Sequence, residues 1–321
     1  MDKYYNFINE HFGEIVLPKE PSSLYDSIRY ILEQKGKWIR PQMCLLSCEL
    51  FDGYIKNAIY PAIAFELLHT FTLVHDDIMD ESELRRGNLT IYKKWGSSTA
   101  ILAGDILFAL AYQYLLQYKS IGINKIIGLF TSSIITICEG QQMDMDFEKE
   151  LKIKSDMYLK MIRFKTATLL AACLKTGAIT ANAKPEHQEY IYEFGINIGM
   201  AFQIQDDLFD VYGQTETVGK VNGQDIASNK KTFLSVTALE IVKGDDLKTL
   251  KKYFSKTTYD FNEKFNAIKA LYDKYNIRQL AESQIERYYQ QAYKNLDAIN
   301  LPEEKTSSLI DFVKQLMYRS Y

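Results

Sequence analysis

The 321-residue chain is 47% hydrophobic with a formal net charge of −3, and its six prolines and sixteen glycines leave long uninterrupted stretches. That is enough apolar material for a sizeable core, and the slight acidity argues against nucleic acid as a partner, since a phosphate backbone calls for a basic surface. Four cysteines without a CxxC pair imply neither a disulfide framework nor a thiolate metal site, so reduced thiols and a cytoplasmic protein are expected.

Met1-Asp2-Lys3 leads into a mixed, aromatic-rich segment, so no secretory leader is expected. The first basic element is Gly36-Lys37-Trp38-Ile39-Arg40-Pro41. Pro41 suits the first position of a helix through Gln42-Met43-Cys44-Leu45-Leu46, because the N–H it lacks would have no partner there. Lys37 and Arg40 beside a helix start would favour phosphate, although an ordinary basic loop reads the same way. The apolar run Phe71-Thr72-Leu73-Val74 then leads into Asp76-Asp77-Ile78-Met79-Asp80. Residues four apart on a helix lie about 40° apart, so Asp76 and Asp80 share a face, roughly 6 Å apart along it. His69 returns to nearly the same stripe. Arg85-Arg86-Gly87 follow, able either to grip phosphate or to complement a helix C-terminus.

The stretch from Thr99 to Tyr118 is apolar enough to raise a membrane question, but Asp105, Gln113 and Gln117 predict a buried helix and no membrane span. Lys165-Thr166 opens a nearly all-apolar run, where a core-facing ammonium requires an anion. Further on, Gly199-Met200-Ala201-Phe202 precedes Gln203 and a second acidic motif, Asp206-Asp207-Leu208-Phe209-Asp210. Buried carboxylates need a counter-charge or they take up protons. One DDxxD is usually a solvated turn. Two in apolar contexts point to a hard divalent cation such as Mg²⁺, which completes its shell with water and substrate phosphates. Gly219-Lys220-Val221-Asn222-Gly223-Gln224-Asp225 and Asn229-Lys230-Lys231-Thr232 form a cationic, glycine-interrupted loop suited to closing over diphosphate. Helical spacing continues in Ile285, Tyr288, Tyr289 and Ala292, while two-residue alternation is scarce, so the chain is expected to be all-α. No linker separates the two motifs, about 130 residues apart, and one domain over residues 1–321 is expected.

The ordered set resembles the trans-isoprenyl diphosphate synthases, the polyprenyl synthetase family. GKxxRP matches Gly36 to Pro41, the first aspartate motif with RRG matches Asp76 to Gly87, KT matches Lys165-Thr166, and FQxxDDxxD matches Phe202 to Asp210; the two loop segments match as well. The resemblance implies an antiparallel helical bundle around a deep central apolar cavity, usually a homodimer. It implies Lys37, Arg40, His69 and Arg86 on isopentenyl diphosphate, and Arg85, Lys165, Thr166, Gln203, Lys220 and Lys230 around an allylic diphosphate. It makes Asp76, Asp77, Asp80, Asp206, Asp207 and Asp210 the metal site, with Asp76, Asp80 and Asp206 as direct Mg²⁺ ligands.

The implied reaction is head-to-tail prenyl transfer, with Asp76, Asp80, Lys165, Asp206 and Lys220 drawing charge onto the leaving diphosphate. A class I terpene synthase would also ionise from a DDxxD helix, but its second metal motif normally mixes Asn, Ser/Thr and Glu. A non-catalytic subunit of a heteromeric synthase would be expected to lose metal ligands, and none is lost. For product length, family precedent points to Phe71, with small Thr72 beside it. Helix geometry agrees partly, since Thr72 lies about 40° from Asp76 but Phe71 about 140°. An aromatic there suggests a C20 product, with C15 next.

Overall fold

The computed structural model describes residues 2–34, 36–213, 222–255 and 259–318. The chain clusters into two compact units, residues 1–130 with 173–188 and residues 131–172 with 189–321. Both are helical, and the strands among the described residues are one pair of two-residue segments, so the expected all-α class holds.

In the first unit the order is α1 (Asp2–Gly13), α2 (Ser22–Glu33), α3 (Ile39–Leu50), α4 (Ile55–Met79), the strands β1 (Leu84–Arg85) and β2 (Asn88–Leu89), α5 (Ile91–Trp95) and α6 (Ser97–Leu115). Between Ala58 and Leu68, α4 buries Ile59, Ile63, Phe65 and Leu67 on all sides, so it runs as a central helix with α3 and α6 packed along it. Each such side chain contributes about 1.5–3 kcal/mol through burial.

Two expectations are modified here. Helix α3 starts at Ile39 with Trp38 as its N-cap, so Pro41 is its third residue, not its first. The first helical hydrogen bond comes from Gln42 N–H to Trp38 O at 3.0 Å, so the missing N–H of Pro41 still falls among those with no partner. Helix α6 is long and apolar enough to cross a membrane, but it is buried on one face only. Ala100, Ala103, Gly104, Leu107, Ala111 and Leu115 are covered, whereas Ile101 and Leu102 are 46% and 53% exposed. Small residues let α6 lie close to α4 on one side and leave the other side unpartnered within this unit.

The second unit takes the later part of α7 (Ile123–Glu148), then α8 (Ser155–Ile162), a π-helical turn (Arg163–Ala167), the start of α9 (Thr168–Thr180) and most of α10 (Pro185–Tyr212). It continues with α11 (Gln224–Ala227), α12 (Phe233–Ile241), α13 (Gly244–Ser255), α14 (Phe261–Lys274), α15 (Ile277–Asp297) and α16 (Glu303–Tyr318). Tyr158, Ile204, Leu208, Leu234, Leu250 and Tyr272 form its core. Sequence sets the helix starts: Thr232 and Ser235 cap α12 reciprocally, and the Asp260 carboxylate accepts the Glu263 N–H at 2.9 Å before α14.

Candidate active site

Helix α4 ends at Met79 with Asp80 as its C-cap, so the first acidic motif sits on the last turn, the negative end of the helix dipole. Carboxylates there are stable only against positive charge or strong donors. Asp80 N–H still bonds to Asp76 O at 2.9 Å, which keeps the two on helical spacing. Asp76 is half-buried and Asp80 exposed. Asp77, 2% exposed, accepts Arg85 Nε at 2.9 Å and Nη2 at 2.6 Å on its Oδ1. Burial nevertheless outweighs that guanidinium and holds the Asp77 carboxyl above its ordinary range.

A short hairpin delivers the two arginines. Arg85 pairs with Asn88, leaving Arg86 (φ 53°) and Gly87 (φ 79°) as a two-residue turn with positive φ at both positions, the form that matches strand twist. Arg85 goes to Asp77, and Arg86 donates Nη1 to Gln34 O at 3.0 Å. Gly36 leaves room for it: a Cβ there would lie 3.0 Å from Arg86 Nη1. Lys37, Arg40, His69 and Arg86 line one pocket of about 340 Å³, together with Glu66. Arg40 Nε is buried with no protein acceptor. Burial first, then the neighbouring Arg40, Arg86 and Arg85, holds His69 well below the imidazole range, so it is neutral with one N–H to donate.

Glu66, 4% exposed, escaped the sequence reading. It was findable as the one charged residue between Ala58 and Leu68, a single helical turn before His69. Burial pushes its carboxyl up while Arg40 and Arg86 pull it back.

In the second unit, α10 likewise carries its motif in its last turns. Asp207 is 4% exposed, and its Oδ2 accepts the Tyr158 hydroxyl and the Phe233 N–H, the latter at 2.7 Å. Gln203 Nε2 lies 3.3 Å from Asp207 Oδ1, and Gln203 Oε1 accepts the Thr166 hydroxyl at 3.0 Å. Burial pushes the Asp207 carboxyl up to about 7, against the pull of those donors. Asp210 accepts the N–H groups of Gln224 and Asp225 at 3.1 and 3.0 Å at the start of α11. Burial, with Asp225 nearby, raises it to about 6. Asp206 is exposed.

Lys165 stands on the π-helical turn and donates to Asp144 Oδ2 at 2.7 Å. Asp144 is thus an anion that this lysine requires, and sequence reasoning missed it because Asp146 and Glu148 beside it look no different. Tyr158 was missed for a related reason, since a lone tyrosine in an apolar helix carries no signal. Lys230 Nζ is exposed, 3.9 Å from Asp225 Oδ1. Lys220 lies outside the described residues.

Among the described residues no three His, Cys, Asp or Glu side chains cluster closely enough to enclose a metal ion. Asp76 and Asp80 at the end of α4, and Asp206 on α10, each offer carboxylate oxygens, the ligand type that suits a hard cation which completes its shell with water and phosphate. Phe71 is half-buried and begins a row of aromatic rings. It packs on His75 and Phe108 at 4.7 and 5.3 Å between centroids, and Phe108, Tyr112, Phe130 and Phe65 continue the row at 5.0–5.3 Å steps. Thr72 turns its hydroxyl back to His69 O at 2.8 Å.

Known proteins match along nearly the whole chain. The sequence model of the Polyprenyl synthetase family matches residues 21–272, across both units. A geranylgeranyl diphosphate synthase of Sulfolobus acidocaldarius is 35% identical over 99% of this chain and 98% of its own. One of Methanosarcina mazei is 34% identical over 98% and 95%. The crystal structure of geranylgeranyl pyrophosphate synthetase from Pyrococcus horikoshii superposes with a TM-score of 0.91 at 31% identity, covering 97% of this chain and 95% of that one. The motifs, the helical fold and these full-length matches agree, and the chain belongs to the polyprenyl synthetase family.

Proposed function

We propose that the protein condenses isopentenyl diphosphate with an allylic prenyl diphosphate into a short-chain all-trans prenyl diphosphate, C20 before C15, releasing diphosphate. The observation that carries this reading is the basic pocket of Lys37, Arg40, His69 and Arg86, whose lining includes no residue of either acidic motif. Cyclising a single prenyl diphosphate requires no such second anion site. The names of the relatives support the C20 product.

In this reading the basic pocket holds isopentenyl diphosphate, and neutral His69 adds a hydrogen bond without adding charge. Arg85, Lys165, Thr166, Gln203, Lys220 and Lys230 serve the allylic diphosphate. Asp76, Asp80 and Asp206 would hold Mg²⁺, while Asp77, Asp207 and Asp210, tied to protein donors, fix the helix ends that present them. Bound Mg²⁺ supplies positive charge for the departing diphosphate. Lys165 and Lys220 donate to that leaving group as its C–O bond breaks. Arg40 and Arg86 keep the second substrate still while its terminal alkene carbon attacks the allylic cation. The proton then lost goes to the released diphosphate, so no side chain has to act as a base or covalent nucleophile. Phe71 and the aromatic row behind it limit chain growth.

We take residues 1–321 as one domain, which the family match to residues 21–272, across both units, supports, and as a cytoplasmic one from its four unpaired cysteines. A homodimer is supported by the uncovered face of α6 at Ile101 and Leu102. The test is product analysis of purified protein with dimethylallyl, geranyl or farnesyl diphosphate, each with isopentenyl diphosphate and Mg²⁺. A C20 linear diphosphate is expected; cyclic hydrocarbons formed without isopentenyl diphosphate would overturn the reading.

A further inference from the structure

Within the prenyl-transfer reading, on which this rests, we propose that Lys264 is a positioning residue for the allylic diphosphate. From α14 its ammonium fixes the segment from Gly223 to Lys230, and with it the exposed Lys230 side chain. Lys264 falls on the buried stripe of α14 that continues with Ile268 and Leu271, and is itself 5% exposed. An apolar side chain would complete that stripe without the cost of burying a charge. The first turn of a helix is also its positive end, where a cation is disfavoured. Neither the core nor the helix calls for a lysine at this place.

What calls for it is the chain segment opposite. Lys264 Nζ donates to Ala227 O at 3.1 Å and to Asn229 Oδ1 at 2.6 Å. Ala227 ends α11, so its carbonyl is among those a helix leaves without a partner, and the same end attracts positive charge. Asn229 stands at φ 60°, in the left-handed conformation, where the chain leaves α11 for α12. One ammonium thus closes the helix and pins the side chain of the turning residue. At the other end of the segment Gly223, at φ 87°, lies against the Phe265 ring, which a Cβ there would strike. Two adjacent residues of α14 therefore hold the segment at both ends.

Lys230 is the next residue after the pinned turn. Its N–H bonds to Asp225 O at 2.9 Å and its carbonyl accepts the Ser235 hydroxyl at 3.2 Å, so its backbone moves with the segment. The same segment supplies the N–H groups of Gln224 and Asp225 to Asp210. Removing the Lys264 donors frees the Asn229 side chain and lets Lys230 sample other positions. That weakens the hold on an anion, because a cation already in place binds phosphate with less ordering left to do. Lys264, buried and bonded to protein, acts through Lys230.

Lys264→Met keeps most of the side-chain length and removes the donors. Steady-state kinetics of the full chain with farnesyl and isopentenyl diphosphates should show KM for the allylic substrate raised about tenfold and KM for isopentenyl diphosphate unchanged. Lost packing alone would not produce that split. Asn229→Gly, which keeps the left-handed conformation open and removes one acceptor, should shift the same constant by less, and the double variant should be less than additive. If Lys264→Met does not fold, Asn229→Gly decides alone. Backbone hydrogen exchange of the substrate-free protein should be faster across residues 223–230 in Lys264→Met. An unchanged allylic KM, equal shifts in both Michaelis constants, full additivity or unaltered exchange would each overturn the proposal. Parent protein without prenyl-transferase activity overturns it together with the reading beneath it; an active parent with an unchanged allylic KM in the variant overturns this proposal alone.

Discussion

The two acidic motifs share one spelling and one position, the last turns of a long helix, yet their middle carboxylates are treated in different ways. Asp77 is gripped by the Arg85 guanidinium through two N–H groups. Asp207 is held by a tyrosine hydroxyl, a backbone N–H and, more loosely, a glutamine amide. Both are buried, but Asp207 is lifted to about 7. A shared DDxxD pattern therefore does not set protonation. Burial raises both carboxyls, and the donors that distant chain segments bring then pull them back by different means, a guanidinium carrying a charge that a hydroxyl or an amide does not.

The comparison breaks most sharply at the outer carboxylates. Asp80→Ala and Asp206→Ala should each lower turnover about 10²–10³-fold with unchanged Tm, because both side chains are exposed and the role proposed for them is charge stabilisation. Near-normal kcat at saturating Mg²⁺ in either variant would remove that motif from the chemistry. Next in size, Arg40→Ala should chiefly raise KM for isopentenyl diphosphate, and Lys165→Ala should chiefly impair the allylic substrate, each about ten- to hundredfold. Steady-state kinetics varying both substrates tests this, and equal effects on the two Michaelis constants would contradict the division.

At the middle carboxylates, Arg85→Ala should cost about 1.5–3 kcal/mol in urea unfolding at pH 8, because it strips a buried carboxylate of its cation. The loss should shrink at acid pH as Asp77 protonates. Asp207 should show a different pH signature in metal-free protein. Its folded pKa of about 7 lies above the ordinary 3.8, and Asp210 follows at about 6. The folded state then binds protons more tightly, so stability is full below about pH 4 and is lost as pH rises through about 7, by about 1.4 kcal/mol per pH unit for each such carboxyl. Unfolding in chelator at pH 5 to 8 should show that decline, reduced in Asp207→Asn; an unchanged slope would refute the assignment. The smallest effect on rate is expected from Phe71→Ala, which should lengthen the product by at least one five-carbon unit while activity persists. Unaltered products on chromatography would move the stop deeper along the aromatic row, toward Phe108 or Phe65.

The helical class was legible because carboxylates, prolines and apolar runs fall at helical spacing over long stretches. The resemblance assigns Lys37, Arg40, His69 and Arg86 to one substrate, and all four line one pocket of the first unit. What escaped were the partners: Asp144 for Lys165, Tyr158 and Phe233 N–H for Asp207, Glu66 beside Arg40. Each is an ordinary residue whose importance comes from a contact far along the chain, and local pattern carries no trace of that. Pro41 was misplaced by two positions because any of the first helical residues can do without its N–H. The buried-helix expectation for α6 rested on an apolar run interrupted by Asp105, Gln113 and Gln117, which does not distinguish its covered stripe from its open one.

The turn at Arg86-Gly87 also acts as a ruler. With alternation along β1 and the turn, one arginine addresses the end of α4 and its neighbour addresses the segment before α3. Adding a single residue between Asp80 and Leu84 would put Leu84 where Arg85 now stands and turn Arg85 to the opposite face, away from Asp77. The spacing between Asp80 and Arg85 should therefore resist insertion far more than its exposed loop position suggests. A one-residue insertion there would leave the helices folded while taking from a buried carboxylate its one guanidinium, a change of wiring with no substitution in either motif.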